Sequence, residues 1–190
     1  MFTPLNIDIL LLLLIGSIFS FTTALDCFAP PARSQLPILD HCQELVYALV
    51  YTSRLPHKND AKTWGRGLRS TDFTEYLPKV YWLPGRGPPS CGVSLDTDPL
   101  HPDAREIFRI SDIARAATRI VNICLIGRRE VGRDMLGSGG RVWAKLVRTD
   151  APGFLRVIGR DERVGSIHVP GVGELMWMSE KGNETVEEMR

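Results

Sequence analysis

Four cysteines, Cys27, Cys42, Cys91 and Cys124, constrain this 190-residue chain more than any other feature. Covalent ties between distant residues limit which elements can be neighbours, and four cysteines allow three pairings. Their spacing speaks against zinc, since no two stand two to four residues apart. His41, His57, His101 and His168 are scattered without ligand spacing, so all four read as structural or solvated. Two disulfides are the expectation, provided the chain matures in an oxidising compartment.

The first 24 residues supply that condition. Ile9–Phe21 is apolar apart from Gly16, Ser17 and Ser20, and falls short of the roughly 20 residues a membrane span needs. A small-residue motif at Thr22 and Ala24 predicts signal cleavage between Ala24 and Leu25. The leader has no Lys or Arg before its apolar core, so a retained anchor is the competing reading. Cleavage leaves 166 residues with a net charge of +2. That length suits one domain, residues 25–178, followed by a charged tail, 179–190. Near-neutrality excludes a dedicated nucleic-acid binder, and a secreted monomer is expected.

Two helices and several strands are legible. Asp40 is a candidate N-cap, with Gln43 three residues on and Cys42, Leu45, Val46, Leu49 and Val50 at helical spacing. Ser111 and Asp112 suit a second helix start. Ile113, Ala116, Ala117, Ile120 and Cys124 form its apolar stripe, and Gly127 is its expected end. Strands are predicted at Lys79–Leu83, Cys91–Asp96 and Arg141–Arg148, with Phe154–Ile158 as the hairpin partner of the last. Ser166–Val169 and Leu175–Met178 carry weaker strand patterns, and His57–Glu75 reads mainly as loop. The order implies an α+β fold, two helices on one face of an antiparallel sheet of about four or five strands, with two disulfides. Antiparallel helices would bring Cys42 near Cys124 and leave Cys27 for Cys91.

Several segments carry a resemblance. They are Cys42-Gln-Glu-Leu, Cys91-Gly-Val-Ser-Leu-Asp, Asp112-Ile-Ala-Arg-Ala-Ala-Thr-Arg-Ile-Val-Asn-Ile-Cys124, Gly139-Gly140 and Val142-Trp-Ala-Lys-Leu-Val147. Together they span about 105 residues and resemble small secreted cysteine-containing proteins of filamentous ascomycete fungi. The layout is also similar to necrosis-inducing effectors and killer-toxin-like proteins. The resemblance implies export from a fungus and assigns no chemistry. The arginine-rich stretch after Cys124 and the long segment after Val147 depart from it.

No catalytic motif stands out. Ser138 sits in Leu-Gly-Ser-Gly-Gly, out of register with the nucleophile elbow, and His-Glu-x-x-His is absent. Gly137–Gly140 reads as a turn, because it lacks the Lys-Ser/Thr of a phosphate loop. No cofactor is implied. Asp72, Asp96, Asp98 and Asp103 are candidate carboxylates for a glycan hydrolase, and His57 or His101 for a ribonuclease.

The chain's charge is uneven. Residues 105–163 hold 13 basic and 7 acidic residues. Arg105, Arg109, Arg115, Arg119, Arg128, Arg129 and Arg133 could form a surface for an anionic partner: a glycan, a lipid headgroup or a host protein. A solvated, self-paired face is the ordinary alternative. Asn183-Glu-Thr is a glycosylation sequon. The reading is a secreted, non-enzymatic interaction protein of effector or toxin type. A small hydrolase and a structural wall or matrix protein are its alternatives.

Overall fold

The structure, a computed structural model, describes residues 25–30, 36–67, 71, 74–84, 90–150 and 162–180. The leader, the Phe154–Ile158 segment and Asn183 lie outside the described residues. The chain is α+β, as its pattern implies, but its sheet is larger than the four or five strands expected. Seven antiparallel strands run in the order β1-β7-β8-β5-β4-β10-β9, beside a small sheet, β3-β2-β6. In chain order these are β1 (Asp26–Phe28), α1 (Leu39–Thr52), β2 (Lys62–Gly65), β3 (Thr74–Tyr76), β4 (Lys79–Trp82), β5 (Cys91–Thr97), β6 (Arg105–Phe108), α2 (Ile110–Arg119), β7 (Val131–Leu136), β8 (Val142–Arg148), β9 (Glu162–Val169) and β10 (Gly173–Glu180).

The helices form where the apolar spacing places them, with shifted ends. In α1, Cys42, Leu45, Ala48, Leu49 and Thr52 are buried, a stripe of one face. Asp40 lies inside its first turn, where a carboxylate favours the positive end of the helix, and makes no cap bond. In α2 the boundary is Arg109, whose N–H donates to the Asp112 carboxylate at 2.9 Å. Ser111, the expected cap, instead donates its own N–H to Asn59 Oδ1. The helix then widens into a π-helix over Ile120–Ile126. There Ile120, Val121, Cys124 and Leu125 are buried, so adjacent pairs four residues apart face the sheet.

Both helices cover one sheet face, where Val93, Leu95, Leu136, Val142, Ala144, Leu146 and Leu175 join the core. The strands that the sequence hides have charged or glycine residues at inward positions. β7 turns Gly132, Asp134 and Leu136 inward, and β6 turns Glu106 and Phe108 inward. Neither shows apolar alternation. His57–Glu75, read as loop, contains β2 and all but the last residue of β3. β8 pairs with β5 along its whole length and with β7 over Val142–Lys145. Ser179 and Glu180, assigned to the tail, belong to β10.

The disulfides are Cys27–Cys124 and Cys42–Cys91, which corrects the pairing suggested by antiparallel helices. Cys42 faces the sheet at the first residue of β5, so Cys91 reaches it before Cys124 can. Cys124 lies over β7, where Gly132 leaves it room: a Cβ there would sit 2.6 Å from the Cys124 sulfur. Gly132 is the register partner of Cys27 on β1, and so the sulfur above it meets Cys27. The two ties fit an oxidising environment. Among the described residues no helix is long and apolar enough to cross a membrane.

Candidate functional site

A cleft of about 300 Å³ opens where α2, β6 and the end of β7 meet, at the lower end of the range for ligand sites. α2 contributes Asp112, Arg115 and Arg119, and β6 contributes Ile107 and Phe108. The end of β7 contributes Asp134 and Met135, and the following turn Gly137 and Ser138. Asp112, Arg115 and Arg119 reach it together because spacings of three, four and seven residues share one helix face.

Its acids and its bases differ in how fully they are engaged. Asp134 is 2% exposed. One of its oxygens accepts the Met135 N–H at 3.0 Å, and the other lies 3.0 Å from Arg119 Nη1. Burial raises the Asp134 pKa, outweighing the opposing pull of Arg119 and the Met135 N–H. Asp112 is likewise divided between the Arg109 N–H and Arg115 Nη2, the latter at 3.2 Å. The guanidinium groups keep donors in reserve. Arg119 Nη2 is buried with no hydrogen-bond partner, and the Arg115 side chain is 71% exposed.

Of the seven arginines singled out by sequence, four belong to this region. Arg105 and Arg109 are exposed, and strand alternation sets them on the same side as Ile107, which lines the cleft. Neither has an ion pair among the described residues. Arg128 and Arg129 lie at the far end of the helix, also exposed and without ion pairs there. Arg133 is on the opposite sheet face, over the Trp143 ring at 4.3 Å and paired with Asp26 at 3.1 Å. The arginines are therefore three groups rather than one surface.

The glycine turn beside the cleft is a structural latch. Glu106, 6% exposed, accepts the Gly139 N–H at 3.1 Å. A Cβ on Gly139 would fall 2.2 Å from that carboxylate, and one on Gly137 2.6 Å from it. The turn's glycines make room for an internal anion, so the expectation of a plain turn is refined by its carboxylate plug.

Sequence reasoning missed a second charged cluster. Lys79 is 2% exposed on the helix side of β4, with its Nζ 2.5 Å from Glu75 and 4.0 Å from the centre of the Trp177 ring. The other Glu75 oxygen takes Lys62 at 2.6 Å. Burial lowers the Lys79 pKa despite Glu75. Glu75 is also lowered: burial pushes it up, but Lys79 and Lys62 together prevail. The cluster ties the small sheet to the large one.

Among the described residues, the carboxylates and histidines proposed for hydrolysis do not gather at one cleft; the nearest pair, His101 and Asp98, lies within a single exposed loop. Both Asp96 oxygens accept from Arg66 Nη2, at 2.7 and 2.9 Å, and Asp98 accepts the Leu100 N–H within its own loop. His101 lies 3.8 Å from Asp98, and His57 3.7 Å from Asp60, all near the surface. Asp103 is exposed, and Asp72 lies outside the described residues. No group of three metal-ligating side chains occurs among the described residues. No protein-family model, curated protein or solved structure matches the chain.

Proposed function

We propose that this chain is an exported, non-enzymatic interaction protein of the effector type, binding an anionic partner at the cleft between α2, β6 and β7. One observation carries the reading: the cleft's two carboxylates are engaged within the fold, whereas Arg119 Nη2 has no partner and Arg115, Arg105 and Arg109 are exposed with donors unused among the described residues. A planar guanidinium with free N–H groups recognises carboxylate, sulfate or phosphate oxygens through paired hydrogen bonds. The same engagement favours binding over hydrolysis, because neither Asp112 nor Asp134 has an oxygen free of a protein partner. The leader and the disulfides support export.

The test is retention on immobilised sulfated polysaccharide and on immobilised polyglutamate, against an uncharged matrix. Arg105→Ala, Arg109→Ala and Arg115→Ala remove exposed side chains and leave the fold intact. The triple variant should elute at markedly lower salt than the parent protein. Elution of parent and triple variant at the same salt on both matrices would refute the reading.

A further inference from the structure

The far end of the second helix combines features that the cleft does not explain. Over Ile120–Ile126 the backbone is a π-helix, a form that is rare and concentrated at functional sites. Three residues later Arg129 has φ +56°, a left-handed conformation that side chains with a Cβ avoid. Within the π-helix the chain exposes Ile123 and Ile126, at 43% and 49%. Asn122, Gly127, Arg128 and Arg129 are exposed around them. Glu130, the nearest acid in sequence, is half-buried. Asp26, on the adjoining β1, is taken by Arg133. Beneath the tip, the Cys27–Cys124 bond fixes the helix to the sheet edge.

We propose that this tip is a contact surface for an anionic lipid bilayer. Two exposed isoleucines on the same helix end as two arginines without an ion pair among the described residues match the composition of the membrane interface, where apolar side chains enter the acyl boundary and cations meet anionic headgroups. An acidic protein would satisfy the arginines but leave the isoleucines without an apolar counterpart. The disulfide anchors the helix end that carries all four residues, so little backbone ordering accompanies contact. This surface uses residues outside the cleft and stands or falls separately from it.

The experiment is flotation of the full chain with vesicles of phosphatidylcholine alone or mixed with phosphatidylserine. At about 1 kcal/mol for each arginine near an anionic leaflet, two give roughly a 30-fold preference for the mixed vesicles. Arg128→Ala with Arg129→Ala should abolish the preference. Ile123→Ser with Ile126→Ser should weaken binding to mixed vesicles about tenfold. All four positions are exposed or half-exposed, and an unchanged thermal melt will confirm that the variants fold. Every variant has the same remaining sequence, so differences belong to the tip. Equal affinity for both vesicles, no binding, or tip variants that bind like the parent would each overturn the proposal. So would loss of lipid binding in Arg115→Ala alone, which would transfer the lipid to the cleft.

Discussion

Asp134, buried, and Glu75, half-buried, are both acids beside cations, yet their surroundings drive them in opposite directions. Burial dominates at Asp134 and raises its pKa, so the folded state holds that proton more tightly than the unfolded chain. Its contribution is full below the unfolded value of about 3.9 and is lost as pH rises through the folded pKa. Asp134→Asn keeps the Met135 cap and cannot ionise. The parent should therefore lose stability relative to this variant as pH rises across that window, read from urea midpoints at a series of pH values. Glu75 has the opposite sign. Its pKa is lowered, so its contribution is present above about 4.3 and is lost as pH falls through the folded value. Glu75→Gln leaves Lys79 buried without its carboxylate and should cost about 3–5 kcal/mol at neutral pH. Lys79→Met should cost less, because Glu75 keeps Lys62. A larger loss for Lys79→Met in urea denaturation would show that Lys79 packing outweighs its charge.

At the scale of elements, Gly132 seats the helix end on β7. Its added Cβ would meet the Cys124 sulfur at 2.6 Å and Ile120 at 2.9 Å. Gly132→Ala should destabilise by about 1–3 kcal/mol. In a Cys27→Ala, Cys124→Ala background the same change should cost less, since the clashing sulfur is gone. A double-mutant cycle of melting curves measures that coupling. The helices and β4, β5, β8 and β10 were legible because most of their buried positions are apolar at periods near 3.6 or 2, Lys79, Thr97 and Ser179 notwithstanding. β7 and β6 were not, since Asp134 and Glu106 occupy inward positions that an alternation count scores as solvent-facing. The site was hidden with them: Arg115, Arg119 and Asp112 could be placed on one helix face, but Asp134, the partner of Arg119, lies on an unread strand. The disulfide pairing failed for a related reason, because it was inferred from helix against helix while each bond joins a helix to a strand.

For the whole molecule, the two disulfides differ in depth and span. Cys42 and Cys91 are both fully buried, 49 residues apart, and Cys27–Cys124 closes 97 residues at the sheet edge. Chain entropy alone favours the longer loop by about 0.6 kcal/mol. Core packing should reverse the order, so Cys42→Ala with Cys91→Ala should lower the urea midpoint further than Cys27→Ala with Cys124→Ala. The bonds are nested, the pair 42–91 lying inside the pair 27–124. A protease that cuts the loop beside Leu100, which is 83% exposed, thus cleaves within the outer ring. The nicked protein would migrate as one species on a non-reducing gel and as two after reduction. A cut at Arg128–Arg129 falls outside both rings, and everything from β7 onward would be held without a covalent tie, by strand pairing, core packing and ion pairs. The chain can therefore survive a break between Cys27 and Cys124 as a single covalent body, and loses that protection just past the helix tip.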